Sequence, residues 1–292
     1  MDRKDFLKKG LLGTGMFVAS SALGNVIENN IDELKKLEPL GFNHLPHTNS
    51  KIMASTVLHK AETRGHANHG WLDSHHTFSF ASYHNPERMH FGVLRVLNDD
   101  RVDPGMGFGK HPHDNMEIIS IPLEGDLEHN DSIGNTAVIR KGDIQVMSAG
   151  TGIQHSEYNR NKDKPTKFLQ IWVFPNKKNV TPRYDQITLN EKDRHNNIQQ
   201  ILSPNANDEG VWIHQDAWFH LANFDKGFEA SYNIKKSGNG VYAFILKGEV
   251  IINGIEVGTR DGLGLWDLDA LQIKASTDAE FLLMDVPMTL TK

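Results

Sequence analysis

The chain has 292 residues, 38% of them apolar, and a formal net charge of −6, enough to build one large β domain or two ordinary domains with packed cores. No run of lysine and arginine lies beyond the N-terminus, so nothing offers a seat to a polyanion, and no nucleic-acid partner is expected. The absence of cysteine excludes disulfides, thiolate nucleophiles, zinc-thiolate sites and iron–sulfur clusters, so any metal must be held by imidazole and carboxylate, for which sixteen histidines are available.

The first segment reads as an address. "MDRKDFLKKG" carries Arg3, Lys4, Lys8 and Lys9, and the apolar "LLGTGMFVASSALG" that follows ends in small residues at Ala22 and Gly24. It is too short and too weakly apolar for a stable membrane span. "RKDFLKK" resembles the twin-arginine export signal of bacteria, with Lys4 in place of the second arginine, so residues 1–24 are expected to direct export to the periplasm; a cytoplasmic protein is the alternative. Residues 25–51 then read as a linker, a short helix with Ile27, Ile31 and Leu34 on one face running into a polar tether.

From Ile52 onward the pattern is one of short strands: "HHTFSFASY", "FGVLRVLND", "MEIISIPLEG", "DIQVMSAG", "FLQIWVFP", "VYAFILKGEV" and "LQIKAS", each bounded by Gly, Asp, Asn or Pro. Long helical periodicity is absent, which points to an all-β sandwich or barrel. "IPLEGDLEHND…VIRKGDIQVMSAG" is echoed by "FILKGEVIINGIEVGTRDGLGLWD", Gly125 answering Gly248 and Gly142 answering Gly262 at spacings of 123 and 120 residues. A nearly constant spacing of domain length predicts a duplication, with one domain over 52–175 and a second over 176–292.

The two halves differ in chemistry. In "GKHPHDNMEIISIPLEG", His111 and His113 lie two apart, so a strand presents both imidazoles on one face while Pro112 stiffens it. "AGTGIQHSEYN" supplies His155 and, again two along, Glu157. Three imidazoles and a carboxylate suit one divalent ion, Fe(II), Mn, Co, Ni or Zn, and an octahedral ion would keep two positions open. Glu117, four residues beyond His113 and of the same strand parity, competes for the carboxylate place. Carried forward by the repeat spacings, His111, His113 and His155 land on Ile234, Lys236 and Ala275, so the second half keeps the scaffold without the imidazoles.

"GMGFGKHPHDNMEIISIPLEG" resembles the first motif of cupins, G-x5-H-x-H-x3-E followed by a glycine: Gly105, His111, His113 and Glu117 fall in place, and Gly125 comes one residue late. "GDIQVMSAGTGIQHSEYN" resembles the second, matching at Gly142, His155 and Asn159, with Ser148 for the usual proline and two extra residues before the histidine. With "SHHTFSFASYHNP" and "TPRYDQ", these departures look like the pirin family, in the bacterial branch described as quercetin 2,3-dioxygenases. The resemblance covers Ile52 to the C-terminus. It implies two tandem jelly-roll type cupin β-barrels, with one metal ion, usually iron, in the first and a degenerate second. It also implies the ligands His111, His113, His155 and Glu157, which leaves Glu117 as a buried hydrogen-bond partner or a group orienting an imidazole. Copper joins the ions such a site could take.

His75 and His76 are expected to alternate faces, one toward the core or pocket and one toward solvent; His66, His69, His84 and His90 sit among polar loop residues. His129, His214 and His220 are left outside the site. The activity implied is a metal-dependent dioxygenase acting with O2 on an aromatic small molecule, a flavonol such as quercetin, with Glu157 both ligand and proton acceptor. Two other readings use the same metal: a redox-sensing regulator without turnover, and another small-molecule reaction such as isomerisation or hydrolysis. A monomer is expected.

Overall fold

The computed structural model describes residues 54–290; residues 1–24, expected to direct export, and 25–51, expected to be a linker, lie outside the described residues. Among the described residues no helix is long and apolar enough to cross a membrane. The only helical segments there are two 3-10 turns, Ala61–Thr63 and Glu191–Arg194, and the rest is strand and turn, the all-β class the sequence pattern predicts.

Seven strands form the first large sheet, in the order β12 (Arg183–Thr188), β9 (Asp143–Ser148), β6 (Glu117–Glu124), β11 (Thr166–Val173), β4 (Leu94–Val102), β3 (Leu72–His76) and β2 (Gly65–Asn68). A four-stranded sheet covers its inner face: β5 (Gly107–His113), β10 (Ile153–Asn159), β7 (Asp126–Asp131) and β8 (Thr136–Arg140). The second half repeats the plan. Its large sheet runs β1 (Ser55–His59), β20 (Gly262–Trp266), β17 (Asn239–Lys247), β22 (Ala279–Pro287), β15 (Trp218–Phe224), β13 (Ile198–Ser203) and β14 (Val211–Trp212), and its small sheet β16 (Glu229–Asn233), β21 (Ala270–Ala275), β18 (Val250–Ile252) and β19 (Ile255–Val257). One of the two glycine pairs that mark the repeat sits at matching places: Gly125 and Gly248 follow β6 and β17, each third in its seven-stranded sheet, at φ 75° and 77°, whereas Gly142 turns the chain before β9 at φ 94° and Gly262 is the first residue of β20.

The outermost strands cross between domains. β1, the first described strand of the chain, pairs antiparallel with β20 of the second domain, Ser55 opposite Trp266 and His59 opposite Gly262. β12, which lies beyond residue 175, closes the first domain's sheet by pairing with β9, Arg183 opposite Ser148. β1 and β12 thus each form an edge of the other half's large sheet, an exchange of strands across the expected boundary at 175/176.

The two large sheets also pack on each other. Leu97, Ile119, Leu169 and Ile171 of the first meet Phe219, Tyr242, Phe244, Leu282 and Met284 of the second in one continuous buried cluster. This explains why "EIISIPLE" reads as an apolar run rather than an alternation: one face of β6 looks into its own domain and the other into the neighbour, and the first six residues are all buried. The "HHTFSFASY" stretch departs from the expected single strand. β3 ends at His76, and the chain then folds over, with Ser79 N–H donating to Arg88 O (2.6 Å) and Ala81 at φ 49°, which places Phe80 against the first domain's cavity.

Candidate metal centre

The site is assembled by the pairing of β5 with β10. Register sets His155 opposite His111, and Ile153 opposite His113, so alternate residues of two neighbouring strands turn toward one point. The ring centroids of His111 and His113 lie 4.9 Å apart, those of His111 and His155 4.5 Å, and those of His113 and His155 4.9 Å. One ring nitrogen from each falls within 4.8 Å of the other two. The parity expected on β10 holds: Ile153, His155, Glu157 and Asn159 are buried and the residues between them are not. A bulge between His155 and Glu157 shifts the pairing with β5.

Each group is prepared for a cation. His111 Nδ1 donates to Gly109 O at 2.8 Å, which leaves Nε2 as a bare lone pair. Burial, with His155 and His111 as charged neighbours, pushes His113 down to about 4, and burial with His111 and His129 pushes His155 down to about 3. His113 and His155 are thus neutral, the state a metal requires. Both ring nitrogens of His155 are buried and have no partner within the protein, a cost that a coordinated ion would remove. The Glu157 carboxylate, 3% exposed, accepts from Ser120 Oγ (3.0 Å) and from Gln170 Nε2 (2.8 Å), and Gln170 Oε1 accepts from Trp172 Nε1 (3.2 Å). Trp172 in turn stands edge-on against His113, 4.9 Å between centroids. Ligand atoms of Glu157 come within 4.8 Å of those of His155 and His129 but are not part of the His111–His113–His155 cluster; together these residues fit a metal held by imidazole and carboxylate.

Glu117 lies elsewhere. Asn115, at φ 45°, turns the chain between β5 and β6, so strand parity does not carry across from His113. Glu117 belongs to the large sheet, on the face that Ile119 and Ile121 turn toward the second domain. There its carboxylate accepts from Ser148 Oγ at 2.6 Å, and burial raises it to about 7. It is a buried hydrogen-bond partner and orients no imidazole.

His129, set aside in the sequence, is fully buried, and its neighbour across β7 and β10 is Glu157. A ring nitrogen of His129 lies within 4.8 Å of ligand atoms of His155 and Glu157, while Nε2 pairs with Asp131 Oδ2 at 3.1 Å and Nδ1 has no partner. The alternation of "LEHND" could have shown that His129 points inward; only the β7–β10 register shows toward what. Of the adjacent pair, His76 faces the cavity and His75 stacks on His66 outside it, at 4.5 Å and 19°. His66, His75 and Asp73 form a second cluster of possible ligands near the surface, with His66 Nε2 already on Asp73 Oδ1 at 2.6 Å. His69 also lines the cavity. His220 is buried in the second domain against Tyr232, 4.9 Å between centroids, with no second imidazole beside it.

A cavity of about 210 Å³ opens beside the three imidazoles, its wall completed by Leu72, Phe80, Phe108 and Trp172. Between His113 and Trp172 it borders a broad outer recess of about 750 Å³ lined by Lys110, Asp114 and Gln154.

The pirin family profile matches residues 57–173, and that of the quercetinase C-terminal cupin domain matches residues 200–286. Quercetin 2,3-dioxygenase of Escherichia coli strain K12 is 46% identical over 230 residues, 79% of this chain and 98% of that protein. A pirin-like protein of Caulobacter vibrioides is 39% identical over 222 residues, 76% of this chain and 95% of its own length. The crystal structure of the Escherichia coli bacterial pirin YhhW in complex with nickel(II) superposes with a TM-score of 0.76 at 45% identity, covering 80% of this chain and 99% of that one. With these matches spanning both halves, the chain belongs to the pirin family, with two cupin-type domains in tandem.

Proposed function

We propose that the chain is a metal-dependent dioxygenase that cleaves a flavonol such as quercetin with O2, using one divalent ion, Fe(II), held by His111, His113, His155 and Glu157. The observation that carries the reading is the convergence of three imidazoles on one cavity, where the buried ring nitrogens of His155 have no protein partner. The relatives named quercetin 2,3-dioxygenase support the substrate class, and the nickel(II) in the Escherichia coli pirin supports a site open to several divalent ions.

The chemistry such an ion supplies when bound is polarisation of a substrate hydroxyl and electron exchange with dioxygen. The rest falls to the chain. Glu157 accepts the proton of the flavonol hydroxyl, and its carboxylate is held for that task by Ser120 and Gln170. Phe80, Phe108 and Trp172 exclude water from the reacting face. The cavity beside the imidazoles favours turnover over a purely regulatory role, because a sensor of metal redox state needs no enclosed room for an organic ligand.

Anaerobic loading with Fe(II), followed by oxygen uptake against a flavonoid panel, tests the reading. Stoichiometric oxygen consumption with a flavonol is expected. A fully loaded protein that consumes no oxygen with any member of the panel would contradict it.

A further inference from the structure

The wall that β3 and β4 give the cavity is polar, and not all of its polar groups are spent. Ser74, His76, Asn98 and Asp100 line it from β3 and β4, all 4% exposed or less. Ser74 Oγ donates to Asp100 Oδ1, but His76 Nδ1 and Asn98 Oδ1 are buried with no partner in the protein. Buried polar atoms left without partners cost stability, so a fold keeps them where something else completes them. Around them the wall is apolar, with Leu72, Phe80 and Phe108.

We infer that this polar wall is a recognition site for the hydroxyls of one aromatic ring of the substrate, with Asn98, Asp100 and His76 as the specificity-determining groups. The inference rests on the cavity being the substrate site of the dioxygenase proposed above. Size sets the limit of one ring. An apolar cavity of roughly 150 Å³ holds benzene, so about 210 Å³ holds a single ring with its hydroxyls, and the remainder of a multi-ring substrate extends past His113 and Trp172 toward the outer recess. Chemistry sets the class. The buried, unpartnered Asn98 Oδ1 calls for a donor such as a phenolic hydroxyl, and burial, which lowers His76 to about 4 and raises Asp100 to about 7, disfavours charge beside it. The side-chain amide of Asn98 and the second oxygen of Asp100 offer the hydroxyl complementary partners.

The test is direct binding to the metal-free full chain, read by calorimetry or ligand-observed NMR, with resorcinol and m-xylene as the probes. They share a 1,3-substituted ring, and resorcinol cannot chelate a metal through its two hydroxyls. Wild type is expected to prefer resorcinol by about tenfold or more, and Asn98→Leu is expected to erase that preference while circular dichroism and metal uptake stay unchanged. Asp100→Asn and Asn98→Ala provide the same readout if the leucine variant does not fold. Equal binding of the two probes by wild type, binding of neither, or an unchanged preference in the variants that fold would each overturn the inference. None of these results needs oxygen or metal, so a protein that recognises resorcinol but consumes no oxygen would sink the dioxygenase reading and leave the subsite standing.

Discussion

Aligned on Phe168 and Phe281, the inward positions of the two large sheets read very differently. Register sets Asp100 and Pro122 beside Phe168, and Asn98 and Ser120 beside Gln170, in the first domain. The matching neighbours in the second are Ala222 and Ile245 beside Phe281, and His220 and Ala243 beside Leu283. Three of four polar positions have become apolar. The facing strands follow suit: where β5 and β10 bring imidazoles, β16 and β21 bring Tyr232, Leu271 and Ile273, which close the second domain's interior as a packed cluster. The same strand plan thus yields a cavity lined by imidazoles and polar groups in one copy and a packed apolar core in the other. The difference lies in a handful of inward side chains, because the backbone pairing that aims them is shared.

The sharpest way to break the comparison is to remove a proposed ligand. His113→Ala should lower metal affinity by more than about 100-fold, measured by metal analysis after dialysis, with little change in thermal midpoint, since His113 is half-buried and packs on Trp172 rather than in the apolar core. Gln170→Leu installs the residue the second domain carries at that place. It frees one oxygen of Glu157 and the Trp172 N–H together, and should cost about 10- to 100-fold in metal affinity or turnover, read by competition titration.

The reverse exchange probes the filled domain. Leu283→Gln buries an amide among apolar neighbours and should destabilise by about 2 kcal/mol in denaturant unfolding while leaving metal content untouched. The smallest expected effect concerns Glu117. Its value in the fold is raised by burial from an ordinary 4.5 to about 7, so the protonated form is favoured, and that contribution is complete below 4.5 and lost as pH rises through 7. Glu117→Gln removes this loss, so the variant should gain on wild type between pH 5 and pH 8 by on the order of 1 kcal/mol, followed by thermal midpoints across that range.

Much of this was readable in the residues. The duplication showed in Gly125 and Gly248 because a turn at positive φ keeps its glycine, and these two close β6 and β17, which hold the same place in their sheets. His111, His113, His155 and Glu157 were legible because alternation within one strand decides facing, and here two two-residue pairs point inward from neighbouring strands. Glu117 misled by the same rule: alternation fails across the turn at Asn115, which no count of residues reveals. His129, Gln170 and Asn98 were silent because their roles depend on which strands become neighbours, a property of long-range pairing rather than of local pattern. The exchanged edge strands β1 and β12 were hidden for the same reason.

The central claim is that one domain holds a single ion and its twin holds none. The most direct measurement is an anomalous difference map from crystals of the Fe(II)-loaded protein, recorded on both sides of the iron edge. The account predicts one peak among His111, His113, His155 and Glu157 and none inside the second domain; a peak away from these four side chains, or a second ion beside His220, would contradict it.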